Sequence, residues 1–111
     1  MVGGHRGLER LTVVVDRNGL QQGGTTEQTS SLEPLDSKAR SFGWAPIEVD
    51  GHDHAALLDL FEHLPVEAGK PSFVVARTHK GHPVSFMADR AEWHHKVPSH
   101  EEAVAILSEL G

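Results

Sequence analysis

Asn18, Gly19 and Leu20 stand directly after an apolar run, Leu11 to Asp16 (LTVVVD). The side-chain oxygen of Asn18 and the main-chain carbonyl of Leu20 are donor types that a hard cation takes. Mg2+ in particular shares such oxygens with a substrate's phosphates. The same residues are also a turn signal, because Asn and Gly tolerate positive φ. From residue types alone the turn is the plainer reading and the cation site the more specific one. Asp16 reads as a turn or helix-orienting group rather than a ligand.

Nine histidines pose a second metal question: His5, His52, His54, His63, His79, His82, His94, His95 and His100. None forms an HExxH pair or a zinc spacing, so scattered surface histidines are the simpler account. The densest cluster is Trp93-His94-His95. The segment Lys80 to Phe86 (KGHPVSF) puts a glycine and a stiffening proline after a strand, and no Gly-rich phosphate loop is present.

Elements must deliver these residues. Three runs read as strands: Leu11 to Asp16, Ile47 to Asp50 and Ser72 to Thr78. The first and third are nearly continuous in apolar or β-branched residues, the pattern of strands covered on both faces. Helical spacing is expected over Ser31 to Phe42, ending at Gly43, and over Asp53 to Leu64, stopping at Pro65. A third helix starts at Ser99, with Glu102 in capping-box spacing and an apolar face of Ala103, Val104, Ile106, Leu107 and Leu110. Residues 1–11 read as the frayed end of a helix, and Lys80 to Pro98 as a long loop. The order β-α-β-α-β, loop, α predicts an α/β fold, a parallel sheet with flanking helices. Ligands of such sheets bind beyond the carboxyl ends of strands, which here are polar and glycine-containing.

Composition sets the bounds. The chain has 111 residues, 38% of them hydrophobic, enough for one modest domain. A net charge of −6 with scattered Lys and Arg excludes a nucleic-acid stripe. With no cysteine, disulfides, Cys-zinc ribbons and thiol nucleophiles are excluded. No apolar run nears the ~20 residues of a membrane span, and no secretory pattern precedes the first strand, so a cytoplasmic protein is expected.

Together, VVVDRNGLQ, EVDGHD, THKGHPVSFM and EWHHKVP resemble transketolases in order and spacing. The resemblance covers essentially all of residues 1–111. It implies one partial domain, the later part of the thiamine-diphosphate-binding N-terminal region or a small subunit carrying it. By that resemblance Asn18 matches the asparagine that closes the family's metal motif, and Leu20 the residue whose carbonyl reaches Mg2+. Gly19 lies between them in the cofactor-binding turn. His94 matches the histidine of a Trp-His-Gly sequence near the diphosphate and the sugar donor. It is thus both the cofactor-binding and the catalytic candidate.

The implied cofactors are thiamine diphosphate and Mg2+, and the implied reaction passes a two-carbon ketol from a ketose to an aldose phosphate. His95 and Pro83 depart from the pattern, each standing where glycine is usual. The Gly-Asp-Gly that opens the motif is not in residues 1–10. Other transketolase subunits are therefore expected to supply it, together with the pyrimidine domain. A non-catalytic remnant or interaction module of the same fold is the alternative, and a related thiamine enzyme with another keto donor is a third reading.

Overall fold

Ser72–Arg77 (SFVVAR) carries the unbroken apolar run Phe73–Ala76, and it takes the central place in the sheet. A strand with both neighbours paired and both faces covered needs no polar alternation. In this computed structural model, which describes residues 1–111, the elements run in the following order. They are α1 (Val2–His5), β1 (Thr12–Arg17), β2 (Leu20–Gln21), β3 (Gly24–Thr25), α2 (Thr26–Thr29), α3 (Leu35–Ser41), β4 (Ala45–Asp50), α4 (His54–Glu62), β5 (Ser72–Arg77), a 3-10 turn (Ala91–His94) and α5 (His100–Leu110). Two compact units contain them, Met1–Arg17 with Leu32–Thr78 and Asn18–Ser31 with His79–Gly111.

The first unit is the expected α/β layer. Its three strands are parallel in the order β1-β5-β4. The register carries no stagger: Thr12 and Ala45 both face Ser72, and Arg17 and Asp50 both face Arg77. Val74, Val75 and Ala76 form the buried centre, joined by Ala39 of α3, Ala45 of β4 and Leu60 of α4. Trp44 packs edge-on against Phe73, with ring centroids 6.0 Å apart. At the start of the chain, α1 lies against the 42–44 turn. Gly4 is required there, because a Cβ would collide with the Phe42 carbonyl.

Three expectations need correction in this unit. The helix foreseen from Ser31 begins only at Leu35. Pro34, at its N-cap with extended φ and ψ, cannot continue a helix backward and biases Glu33 out of helical geometry. The second helix stops at Glu62 rather than Leu64, since Leu64 precedes Pro65 and is biased out of the helix. The first strand is not covered on both faces. β1 is an edge strand, with Val14 49% exposed.

The second unit contains structure that apolar periodicity did not reveal. Leu20–Gln21 and Gly24–Thr25 form a two-residue antiparallel hairpin, and Thr26–Thr29 makes one helical turn capped by the Thr25 hydroxyl. The long segment after β5 closes on itself through Val84 N donating to Gly81 O and Asp89 N donating to Lys80 O. At its far end, α5 carries the expected capping box between Ser99 and Glu102. None of the α5 side chains is fully buried, and Val104, Leu107 and Leu110 are exposed.

Candidate functional site

The residues singled out by the sequence, Asn18, Gly19, Leu20 and His94, all fall in the second unit. The first three form one tight turn. Asn18 Oδ1 accepts from Leu20 N at 2.9 Å, which fixes the carboxamide in an Asx turn. Gly19 has φ +75, a left-handed value that disfavours a side chain, although a Cβ would meet nothing within 4 Å. Its requirement is thus conformational rather than spatial.

The hairpin then determines which oxygens of this turn remain available. Thr26 N donates to Gly19 O at 2.9 Å, and the β2–β3 register sets Leu20 opposite Thr25. Hydrogen-bonded and non-hydrogen-bonded pairs alternate along an antiparallel ladder. With Gly19 and Thr26 hydrogen-bonded, Leu20 and Thr25 are a non-bonded pair, and the Leu20 carbonyl points away from β3. The amide oxygen of Asn18 has two lone pairs, of which the Leu20 N–H takes one. The turn therefore offers one lone pair on Asn18 and the carbonyl of Leu20, both neutral oxygens.

That donor set suits a hard cation only in part. Mg2+ takes near-octahedral oxygen coordination and is usually held through a carboxylate and substrate phosphates. No three His, Asp or Glu side chains of this chain converge to hold a metal ion. The turn fits as a contributor of two oxygens to a cation whose charge is balanced from elsewhere.

His94 ends the 3-10 turn, exposed, with its ring edge-on to His95 at a centroid distance of 4.5 Å. Trp93 beside it is anchored instead. It is 9% exposed, its ring lies 5.7 Å from that of Phe86, and Lys96 Nζ sits 4.1 Å above it. The Trp93 indole N–H is buried without an acceptor. Lys96 also pairs with Glu102 at 2.5 Å, and that bond holds the Glu102 carboxyl below its usual range, aided by the Ser99 N–H. The segment carrying His94 is thereby tied to the first turn of α5. His79 Nδ1 contacts Asp89 at 3.2 Å across the base of the preceding loop, and Glu109 accepts from Ser85 N and Oγ at 2.6 and 2.8 Å.

In the first unit the carboxyl ends of the strands carry a charge cluster that motif reading missed. Arg17, 7% exposed, donates through Nε to Glu33 Oε1 at 3.1 Å. Arg77 reaches the same oxygen at 3.2 Å and Glu48 at 2.8 Å. The Leu35 N–H on Glu33 Oε2 is the main reason its carboxyl lies below the usual range, with both arginines adding to it against partial burial. Arg77 is held above its usual value, first by Glu48. Glu33 lies 16 residues from Arg17 in sequence, so no local spacing could have announced the pair. Thr26 escaped notice for a similar reason, as one threonine in a polar stretch.

Residues 1–111 match a family model described as transketolase, thiamine diphosphate binding domain. Among curated proteins, an apulose-4-phosphate transketolase subunit of Phocaeicola vulgatus is 38% identical over 112 residues, covering 98% of this chain and 40% of that protein. The 6-deoxy-6-sulfo-D-fructose transketolase subunit SqwG of a Clostridium species is 34% identical over 99% of this chain and 40% of its own length. The chain thus spans about two-fifths of the curated relatives it matches. Among solved structures, transketolase from Leishmania mexicana superposes on 99% of this chain, and 16% of that one, with a TM-score of 0.88 and 27% identity.

Proposed function

The chain belongs to the transketolase thiamine-diphosphate-binding domain family, and we propose that it forms the later portion of that domain in a transketolase built from more than one polypeptide. The observation that carries this reading is the Asn18–Leu20 turn. It presents an amide oxygen and an unpaired carbonyl just past a strand of a parallel sheet, where ligands of such folds bind. Two relatives bear names that call them transketolase subunits, which supports an assembly of several chains. The open edge of β1 and the exposed apolar side chains of α5 are surfaces that further structure, in this polypeptide or a companion, would cover.

Asn18 Oδ1 and the Leu20 carbonyl would hold Mg2+, and through it the diphosphate of the cofactor. When bound, thiamine diphosphate supplies the electron sink that lets a carbon–carbon bond of a ketose break and a two-carbon ketol pass to an aldose phosphate. His94, exposed and carried on a segment anchored by Trp93, is free to contact the diphosphate and the sugar donor. The Gly-Asp-Gly half of the metal motif and the pyrimidine domain would come from outside residues 1–111. A cysteine-free chain acting on sugar phosphates fits a cytoplasmic setting, and no helix is long and apolar enough to cross a membrane.

Titration calorimetry with Mg2+ and thiamine diphosphate, on the chain with and without its companion polypeptide, tests this reading. Heat that needs Mg2+ and the companion is expected. A non-catalytic module of the same fold is favoured by Pro83 and His95, which stand where the family resemblance leads one to expect glycine. Silence in both titrations would establish that alternative.

A further inference from the structure

We propose that Thr26 is a positioning residue that decides which oxygens of the Asn18–Leu20 turn face the cation. The inference rests on the cofactor reading above and deepens it. Thr26 is 8% exposed, a buried polar residue in a segment that is otherwise open to solvent. Both of its donors reach one acceptor: its N–H lies 2.9 Å from Gly19 O, and its hydroxyl 3.3 Å from the same atom. The hydroxyl is also 3.3 Å from Glu27 Oε1, so its single proton is divided between the two oxygens.

A carbonyl oxygen has two lone pairs. With both directed at Thr26, Gly19 O is turned into the protein and withdrawn from any ligand. The φ of +75 at Gly19 is the backbone state that accompanies this inward carbonyl. The next carbonyl, that of Leu20, faces the other way, and the Asn18 amide is fixed by the Leu20 N–H. One buried threonine therefore sorts three consecutive oxygens into one inward and two outward. Without its hydroxyl the Gly19 carbonyl is held by one bond, and the turn can rotate so that the wrong oxygen competes for the metal.

The test uses the full chain purified with its companion polypeptide, comparing Thr26→Val, which keeps the shape, with Thr26→Ser, which keeps the hydroxyl. In the ligand-free protein, Thr26→Val is expected to speed amide exchange at Leu20 by roughly three- to tenfold, the usual consequence of losing one hydrogen bond. It should raise the Mg2+ concentration needed for half-maximal thiamine diphosphate binding by a similar factor. Saturating Mg2+ should restore binding, and Thr26→Ser should match the parent in both measurements. A general folding defect would not be recovered by Mg2+. Should Thr26→Val lack native near-ultraviolet circular dichroism, Thr26→Ala carries the same comparison.

Unchanged Leu20 exchange in the variant overturns the proposal. So does faster exchange with an unshifted Mg2+ midpoint while Asn18→Ala shifts it, and in that case the cofactor reading stands. An Asn18→Ala variant with an unshifted midpoint removes the cofactor reading, and this inference with it.

Discussion

Glu33 Oε1 accepts from Arg17 Nε at 3.1 Å, so a buried guanidinium at the last residue of β1 is neutralised by a carboxylate that precedes α3. The folded carboxyl lies below its usual value of about 4.5, chiefly through the Leu35 N–H. A depressed carboxylate contributes its stability above the unfolded pKa and loses it as pH falls through the folded one. Thermal melts from pH 6 to pH 3 should therefore show a loss that begins near 4.5 and continues below it. Glu33→Gln should cost about 1–2 kcal/mol at neutral pH, because Arg17 loses its charged partner while solvent screens the exposed side of the pair. A shallower acid limb in the variant checks the assignment.

Asn18→Ala should leave the fold intact and lower the melting temperature by no more than about 5 °C. The fold does not depend on this side chain beyond its bond to Leu20 N. Mg2+-dependent thiamine diphosphate affinity should fall by about tenfold or more, as expected when one oxygen of a near-octahedral site is removed. Calorimetry at fixed Mg2+ measures it. Equal affinity in the two proteins would take the cation away from this turn.

His94→Ala makes the opposite separation. The His94 ring is exposed and stacks edge-on against His95, itself exposed, so its removal should leave the fold intact and affect turnover or donor affinity more than cofactor retention. On the proposed function, turnover or apparent donor affinity of the assembled complex should drop by roughly a hundredfold or more, the lower end of what a general acid–base group contributes. Steady-state kinetics on the complex, read alongside cofactor binding, distinguishes this from a metal defect.

Gly81→Ala probes the loop after β5. Gly81 has φ +77, and a Cβ there would lie 2.7 Å from the Met87 carbonyl oxygen. Both effects are unfavourable, and together they should cost about 1–3 kcal/mol of local stability. Hydrogen exchange at Val84 and Asp89, whose amides close this loop, should rise first.

The parallel sheet and the α5 cap were legible because each is encoded in neighbouring residues: β-branched runs at Val13–Val15 and Val74–Val75, and Ser99 three residues before Glu102. The helix ahead of β4 starts later than its apolar spacing suggests, since Leu32 keeps helical phase with Leu35 while Pro34 forbids the turn between them. The strand order was not legible, because β5 inserts between β1 and β4 through contacts distant in sequence. In the turn, Asn18-Gly19 announced itself through residue types. The Thr26 bonds to Gly19 and the Glu33 bridge did not, as each depends on a fold that brings separated residues together.

Because β5 is matched residue for residue on both sides without offset, it cannot absorb insertions. One extra amino acid between Ser72 and Arg77 would invert every side chain beyond it. Arg77 would swing off Glu33 and Glu48 together, and the buried valines would be sent to the opposite faces of the sheet. Length changes should therefore be tolerated best in the segments outside the ladder, and one within β5 should cost stability through this lost pairing.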